Sequence, residues 1–169
     1  MTKDDIYRIV YRLTSETMGY EDIRLGRGCY PFMMHGYDVL QRLGFPVIYQ
    51  AGTASFRAVP EAEDNGTEHT HHTFKFAPED PGSKAQIEKG LLPEIHCWLA
   101  LRDTREIVDF STGFVHLSSR IPWRMPKLPP YIWCKEGNPY PGTIYQPSLT
   151  AIKFLLNFIQ EKENESVCQ

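Results

Sequence analysis

The sequence predicts an α+β fold in which one helix packs across an antiparallel β-sheet, and three stretches carry that expectation. From Cys29 to Leu43, apolar residues recur at helical spacing, and the pattern stops at Gly44. Residues 46–58 come next, rich in Val, Ile, Tyr, Thr and Phe, and read as a strand. Residues 94–101 and 106–110 are two more β-prone runs separated by the polar stretch 102–105, a hairpin signal. With 169 residues, 41% of them hydrophobic, the chain suits a single domain spanning 1–169 whose core needs no staples.

In chain order, residues 4–18 place Ile6, Ile9, Val10, Leu13 and Thr17 on one helical stripe, with Thr2 as N-cap and Gly19 as stop. Residues 20–27 have no period and lead into Gly-Arg-Gly, a loop that lays the backbone close to Cys29. In the next helix, Phe32, Met33, Tyr37, Leu40 and Leu43 form the buried face. Pro31 suits its first turn, Gly44 its C′ position, and Pro46 prevents continuation. The strand after it bends at Gly52, and residues 71–76 return as its partner with Phe74 and Phe76 on one face.

Residues 60–90 read as a surface insertion: a polar turn up to His69, then a charged stretch from Pro78 with one helical turn. Residues 122–147 are crowded with Pro and aromatic rings, which excludes a central strand or a long helix and predicts an extended flap over the sheet. A short strand at 131–134 is the regular piece it can hold. Ser148 caps a last helix with Ile152, Leu155, Leu156 and Ile159 inward, and the acidic residues 161–169 are expected to fray.

A net charge of −3 leaves no basic footprint for nucleic acid or an anionic membrane surface. No apolar run approaches the ~20 residues of a membrane span. The start MTKDDIYRIV lacks a signal-peptide core, so a cytoplasmic protein is expected. Cys29, Cys97, Cys134 and Cys168 form no CxxC pair, which argues against disulfides or thiolate zinc and for reduced thiols. His69 and His71, with Glu68 and His72 beside them, are the weak metal candidates; with no second ligand cluster, a solvated loop is the better reading and no metal is expected. His35 reads as packed, His116 as a surface residue, and Asp103 with Arg105 as an ion pair of the turn.

Cys29 stands at the positive end of a helix, where free N–H groups and the macrodipole favour a thiolate. A hairpin turn centred on Asp103 and Thr104 sets Leu101 opposite Glu106, Trp98 opposite Asp109 and His96 opposite Ser111. His96 and Asp109 are then diagonal neighbours on one face, within reach of a hydrogen bond. Cysteine, histidine and aspartate in these places supply nucleophile, base and orienter for acyl transfer, chemistry that requires no cofactor.

The run from Cys29 through LQRLGFPVIYQAGT resembles the transglutaminase-like core, where a cysteine opens a helix that turns into a strand. The run IHCWLALRDTREIVDFST resembles that family's second motif, a histidine strand followed by an aspartate strand. The resemblance implies a papain-like/transglutaminase-like fold with Cys29 as nucleophile, His96 as base and Asp109 as third member. Arylamine N-acetyltransferases and the wider papain-like cysteine proteinases share this order, and a bacterial and phage branch of that superfamily is similar too. The two blocks cover under half of the chain, with three departures from the pattern. The chain between Cys29 and His96 is long, Phe110 replaces the proline after the aspartate, and no glutamine precedes the cysteine to complete an oxyanion hole. The backbone N–H of Cys29 can supply one oxyanion donor.

The expected function is thus a cysteine-dependent hydrolase or acyltransferase acting on an amide, isopeptide or thioester. Its substrate would be a peptide, a protein or a small acyl compound, in a cleft lined by Trp98, Trp123 and Trp133, with the segment from Trp123 to Tyr145 covering it. The alternative is a catalytically silent relative that binds a peptide or protein partner in the same cleft.

Overall fold

The computed structural model describes residues 1–19, 28–57, 71–118 and 128–167. Helix α1 (Lys3–Thr17) starts at Thr2, whose side chain and that of Asp5 cap each other's backbone N–H in a capping box. Helix α2 (Cys29–Arg42) ends where Gly44 takes φ 82°, as its place after the last turn requires. Strand β1 (Val47–Arg57) is next, then β2 (His71–Phe74), α3 (Pro81–Glu88), β3 (His96–Leu101) and β4 (Glu106–Asp109). A 3₁₀ turn (Thr112–Ser118), β5 (Ile132–Lys135), β6 (Thr143–Pro147) and α4 (Leu149–Val167) complete the order.

The sheet is antiparallel, in the order β2-β1-β3-β4-β5, with β6 also paired to β1. Strand β1 is long enough to take β3 along Val47 to Gly52 and β6 along Gly52 to Phe56. Gly52 is the changeover, and a Cβ there would overlap the backbone carbonyl of Gln146.

Side-chain alternation divides the sheet into two faces. One face carries Val47, Ala51, Leu99, Leu101 and Val108 into a cluster with Phe32, Met33 and Leu40 of α2 and Ile6 and Val10 of α1. At Gly36 helix and sheet come so close that a Cβ would sit 2.6 Å from the Phe110 ring. The other face gathers Ala54, Phe56, Val115 and Ile132, with Phe74 and Tyr145 against them. No described helix is long and apolar enough to cross a membrane.

Leu43 and Leu156 are exposed rather than inward, and Phe76, past the end of β2, packs with the helix-side cluster while Phe74 packs with the other; three larger expectations also change. The Pro-rich segment is not a flap over the sheet: residues 119–127 lie outside the described part, and residues 128–147 supply β5 and β6. Its prolines punctuate strand ends, with Pro129 and Pro130 before β5, Pro139 and Pro141 before β6, and Pro147 closing β6, so the ladder donors between them survive. In the insertion, α3 makes two turns rather than one. The acidic tail of α4 stays helical to Val167, helped by the Lys162–Glu165 pair at 2.9 Å, rather than fraying from residue 161.

Candidate active site

Cys29 is the first residue of α2, and its N-cap is Gly28, which makes no side-chain capping bond. No side-chain cap therefore competes for the free N–H groups of the first turn. His96 opens β3 and Asp109 closes β4. The hairpin register is Leu101↔Glu106, Ala100↔Ile107, Leu99↔Val108, which continued by one and three residues aligns Trp98 with Asp109 and His96 with Ser111. This matches the register read from the sequence, and the diagonal contact forms: His96 Nε2 lies 2.7 Å from Asp109 Oδ2.

Asp109 is buried and surrounded by donors. Oδ2 also accepts from the Tyr145 hydroxyl at 2.9 Å, while Oδ1 accepts from the Ser111 backbone N–H at 2.9 Å and the Ser111 hydroxyl at 2.7 Å. Burial alone would raise its pKa, but the His96 charge and these hydrogen bonds outweigh it and hold the carboxyl below its ordinary range. An ionised carboxylate only accepts, so the proton in the pair sits on His96 Nε2. The other ring nitrogen, Nδ1, is buried without a hydrogen-bond partner.

The ring itself is held by aromatics. Phe74 stacks on it at 4.9 Å, Phe56 meets it edge-on at 5.2 Å, and Trp98 lies parallel at 6.0 Å. Burial opposes the imidazolium, but Asp109 overrides it, and the His96 pKa is pushed up to about 10.

Cys29 is partly exposed and shares with Gly28, His96, Phe74, Ser111 and Phe114 a cavity of only about 10 Å³. Its pKa falls well below the ordinary thiol value, first because the Cys97 thiol donates to it, then, against the cost of burial, because of His96. Cys97, buried beside it, moves the opposite way, raised by its contact with Cys29 and by burial. The Cys29–His96 contact is close enough to shift both groups but is not an aligned hydrogen bond in this state, as is common before substrate binds.

A thiolate beside an imidazolium can attack a carbonyl carbon and then return the proton to the departing group. Cys29, His96 and Asp109 are thus brought together. Trp98 lies beside His96, but Trp133 does not join them: it pairs with Val108 on the helix-facing side and packs edge-on to Phe45 at 5.8 Å. The reason is the period of two, which turns alternate residues of β5 to opposite faces. Trp123 and His69 lie outside the described residues, and His71 opens β2. Among the described residues no His, Cys, Asp and Glu group of three or more could hold a metal ion. Arg105 pairs with Glu136 at 2.7 Å rather than with Asp103. His35 meets the Thr17 hydroxyl at 3.0 Å.

Three contributors escaped the sequence reading. Ser111 lies two residues beyond Asp109, the spacing at which an Asp side chain caps the backbone ahead of it, so that signal was available. Cys97 and Tyr145 carried none, because their roles depend on where α2 begins and where β6 lands.

No protein-family model matches the sequence, and no curated protein matches it. The fold is similar to that of a crystal structure of a genomics target, with a TM-score of 0.63 and 13% identity over 96% of this chain and 74% of that one. That likeness is one of fold, and it supports an α+β architecture with an antiparallel sheet and packed helices.

Proposed function

We propose that the protein is a cysteine-dependent hydrolase or acyltransferase of papain-like or transglutaminase-like architecture, working in a reducing cytoplasm on an amide, isopeptide or thioester. The observation that carries this reading is the His96 ring: Nε2 is fixed by Asp109 at 2.7 Å, Nδ1 is buried without an aligned hydrogen bond, and the residue lines the small cavity that Cys29 also lines. Cys29 attacks the acyl carbon, His96 protonates the leaving amine or thiol, and Asp109 fixes the tautomer and balances the imidazolium. Water or an amine then resolves the thioester, and that choice sets hydrolysis against transfer.

Intact-mass analysis after incubation with p-nitrophenyl acetate tests it. A single acetyl adduct on the wild type, absent in Cys29→Ala, is the expected result; acetylation spread equally over the cysteines overturns it. The second reading, a silent protein that binds a peptide or protein partner, is favoured by the small room beside Cys29, about 10 Å³. It predicts that Cys29 alkylates with iodoacetamide no faster than Cys134.

A further inference from the structure

The cavity beside Cys29, about 10 Å³, is at the lower limit for one water molecule, which is close to the size of a methyl group. Most of its walls are pinned. His96 is tied to Asp109, and so is Ser111, through its hydroxyl and its N–H. Phe114 stacks on Phe32 at 5.6 Å and on Tyr11 at 6.2 Å, and Val115 is buried in the cluster of the other face. Phe74 differs from these. It ends the four-residue edge strand β2, keeps part of its surface exposed, and lays its ring on His96 at 4.9 Å.

We propose that Phe74 is the specificity-determining wall of this site, restricting Cys29 to short, unbranched acyl groups; the proposal rests on Cys29 being an acyl-transfer nucleophile. Cys29 is partly exposed, so a carbonyl carbon can reach its sulfur, and what must find room is the chain beyond that carbon. A methyl group fits a water-sized space, whereas a longer or branched chain must displace a wall. The packed rings around Phe114 resist this, because overfilling such a core strains its neighbours. Moving His96 would disturb the bond to Asp109 that orients it. Phe74 is thus the side chain whose size decides what enters.

The test is acylation of Cys29 by p-nitrophenyl acetate and p-nitrophenyl hexanoate, each rate divided by that of N-acetylcysteine with the same ester. Thioester formation releases p-nitrophenolate, and peptide mapping places the adduct. The wild type should favour acetate by about tenfold or more. Phe74→Ala and Phe74→Leu should raise the hexanoate rate by about tenfold or more and the acetate rate far less. Phe56→Leu is the control: Phe56 meets His96 at 5.2 Å but does not line the cavity, so both rates should move alike. Alkylation by iodoacetamide and by the bulkier N-phenyliodoacetamide repeats the comparison without acyl transfer. A wild type that shows the size preference in alkylation but forms no acyl adduct refutes the acyl-transfer reading, while Phe74 remains the wall that sets access to Cys29. The proposal is overturned if the wild type treats both sizes alike, if a folded Phe74 variant keeps the wild-type ratio, if Phe56→Leu shifts that ratio equally, or if neither Phe74 variant folds.

Discussion

The two faces of the sheet are built on opposite terms. Against α2, the strands bury Val47, Ala51, Leu99, Leu101 and Val108, and the contact is dispersion and water exclusion. On the other face, His96 is 1% exposed and Asp109 2%, with Tyr145 and Ser111 bonded to the same carboxylate. Replacing such a network by apolar side chains is often neutral or stabilising, so its charge is weak evidence for a stability role. One face is held by apolar packing and the other carries a buried polar network, and substitutions can separate the two.

The largest effect is expected at Cys29, the first residue of α2, which packs at the edge of the helix-side core and lines a small cavity with His96. Cys29→Ala should lower any acyl transfer by about 10³-fold or more and change stability by less than about 1 kcal/mol, because a partly exposed helix start tolerates the smaller residue. Turnover assays with thermal melts check both; a variant that melts far below the wild type would make Cys29 a core residue.

Next come paired substitutions of similar cost but different character. Leu99→Ala should destabilise by about 2–5 kcal/mol through lost packing, and Asp109→Asn by about 3–5 kcal/mol by leaving His96 without its counter-charge. Only Asp109→Asn should also alter the pH dependence. His96 has a raised folded pKa, so its contribution is complete below about 6.5 and fades as pH rises through about 10. Asp109 has a lowered one, so its contribution is present above the ordinary carboxylate range and fades as pH falls through the folded value. Urea melts from pH 3 to pH 10 should give Leu99→Ala a curve parallel to the wild type and Asp109→Asn a flatter one; parallel curves for both would refute the division.

His96→Ala bears on reactivity more than on the fold. The imidazolium that favours the thiolate is gone, so the thiol pKa should rise and the alkylation profile move to higher pH. An unmoved profile would break the pairing of His96 with Cys29.

How much of this was legible depended on how local the cause was. The His96–Asp109 contact was readable because residues 102–105 leave one compact register, and a period of two then decides which side chains share a face. The Cys29 helix was readable from its glycines and its apolar period. Strand β6 was not, since prolines at 139, 141 and 147 look like breakers until the strand is seen to fit between them. Trp133 was misassigned for a related reason: its place on the helix side comes from the Val108 pairing, which links β5 to β4 across more than twenty residues. Cys97 reads as core from its own strand, and it meets Cys29 only once α2 docks.

The smallest expected effect belongs to Tyr145→Phe, and it tests the polar face most finely. The change removes one of the hydrogen bonds to Asp109 Oδ2 while leaving His96 Nε2 at 2.7 Å on the same oxygen and Ser111 on the other. A bond to a charged acceptor is worth about 1.5–3 kcal/mol, and the remaining donors should absorb part of that loss. Without the tyrosine, the folded pKa of Asp109 should rise toward the ordinary value. Near neutral pH the variant is therefore less stable than the wild type, and the gap closes as pH falls through the folded pKa of Asp109, where the carboxylate that used the hydroxyl is no longer charged. Trp133→Phe, on the helix-facing side, should show a gap that does not change with pH. Melts of the two variants at pH 7 and at pH 3 read the difference. A Tyr145→Phe gap that is equal at both values would mean that the hydroxyl supports packing rather than the charge on Asp109.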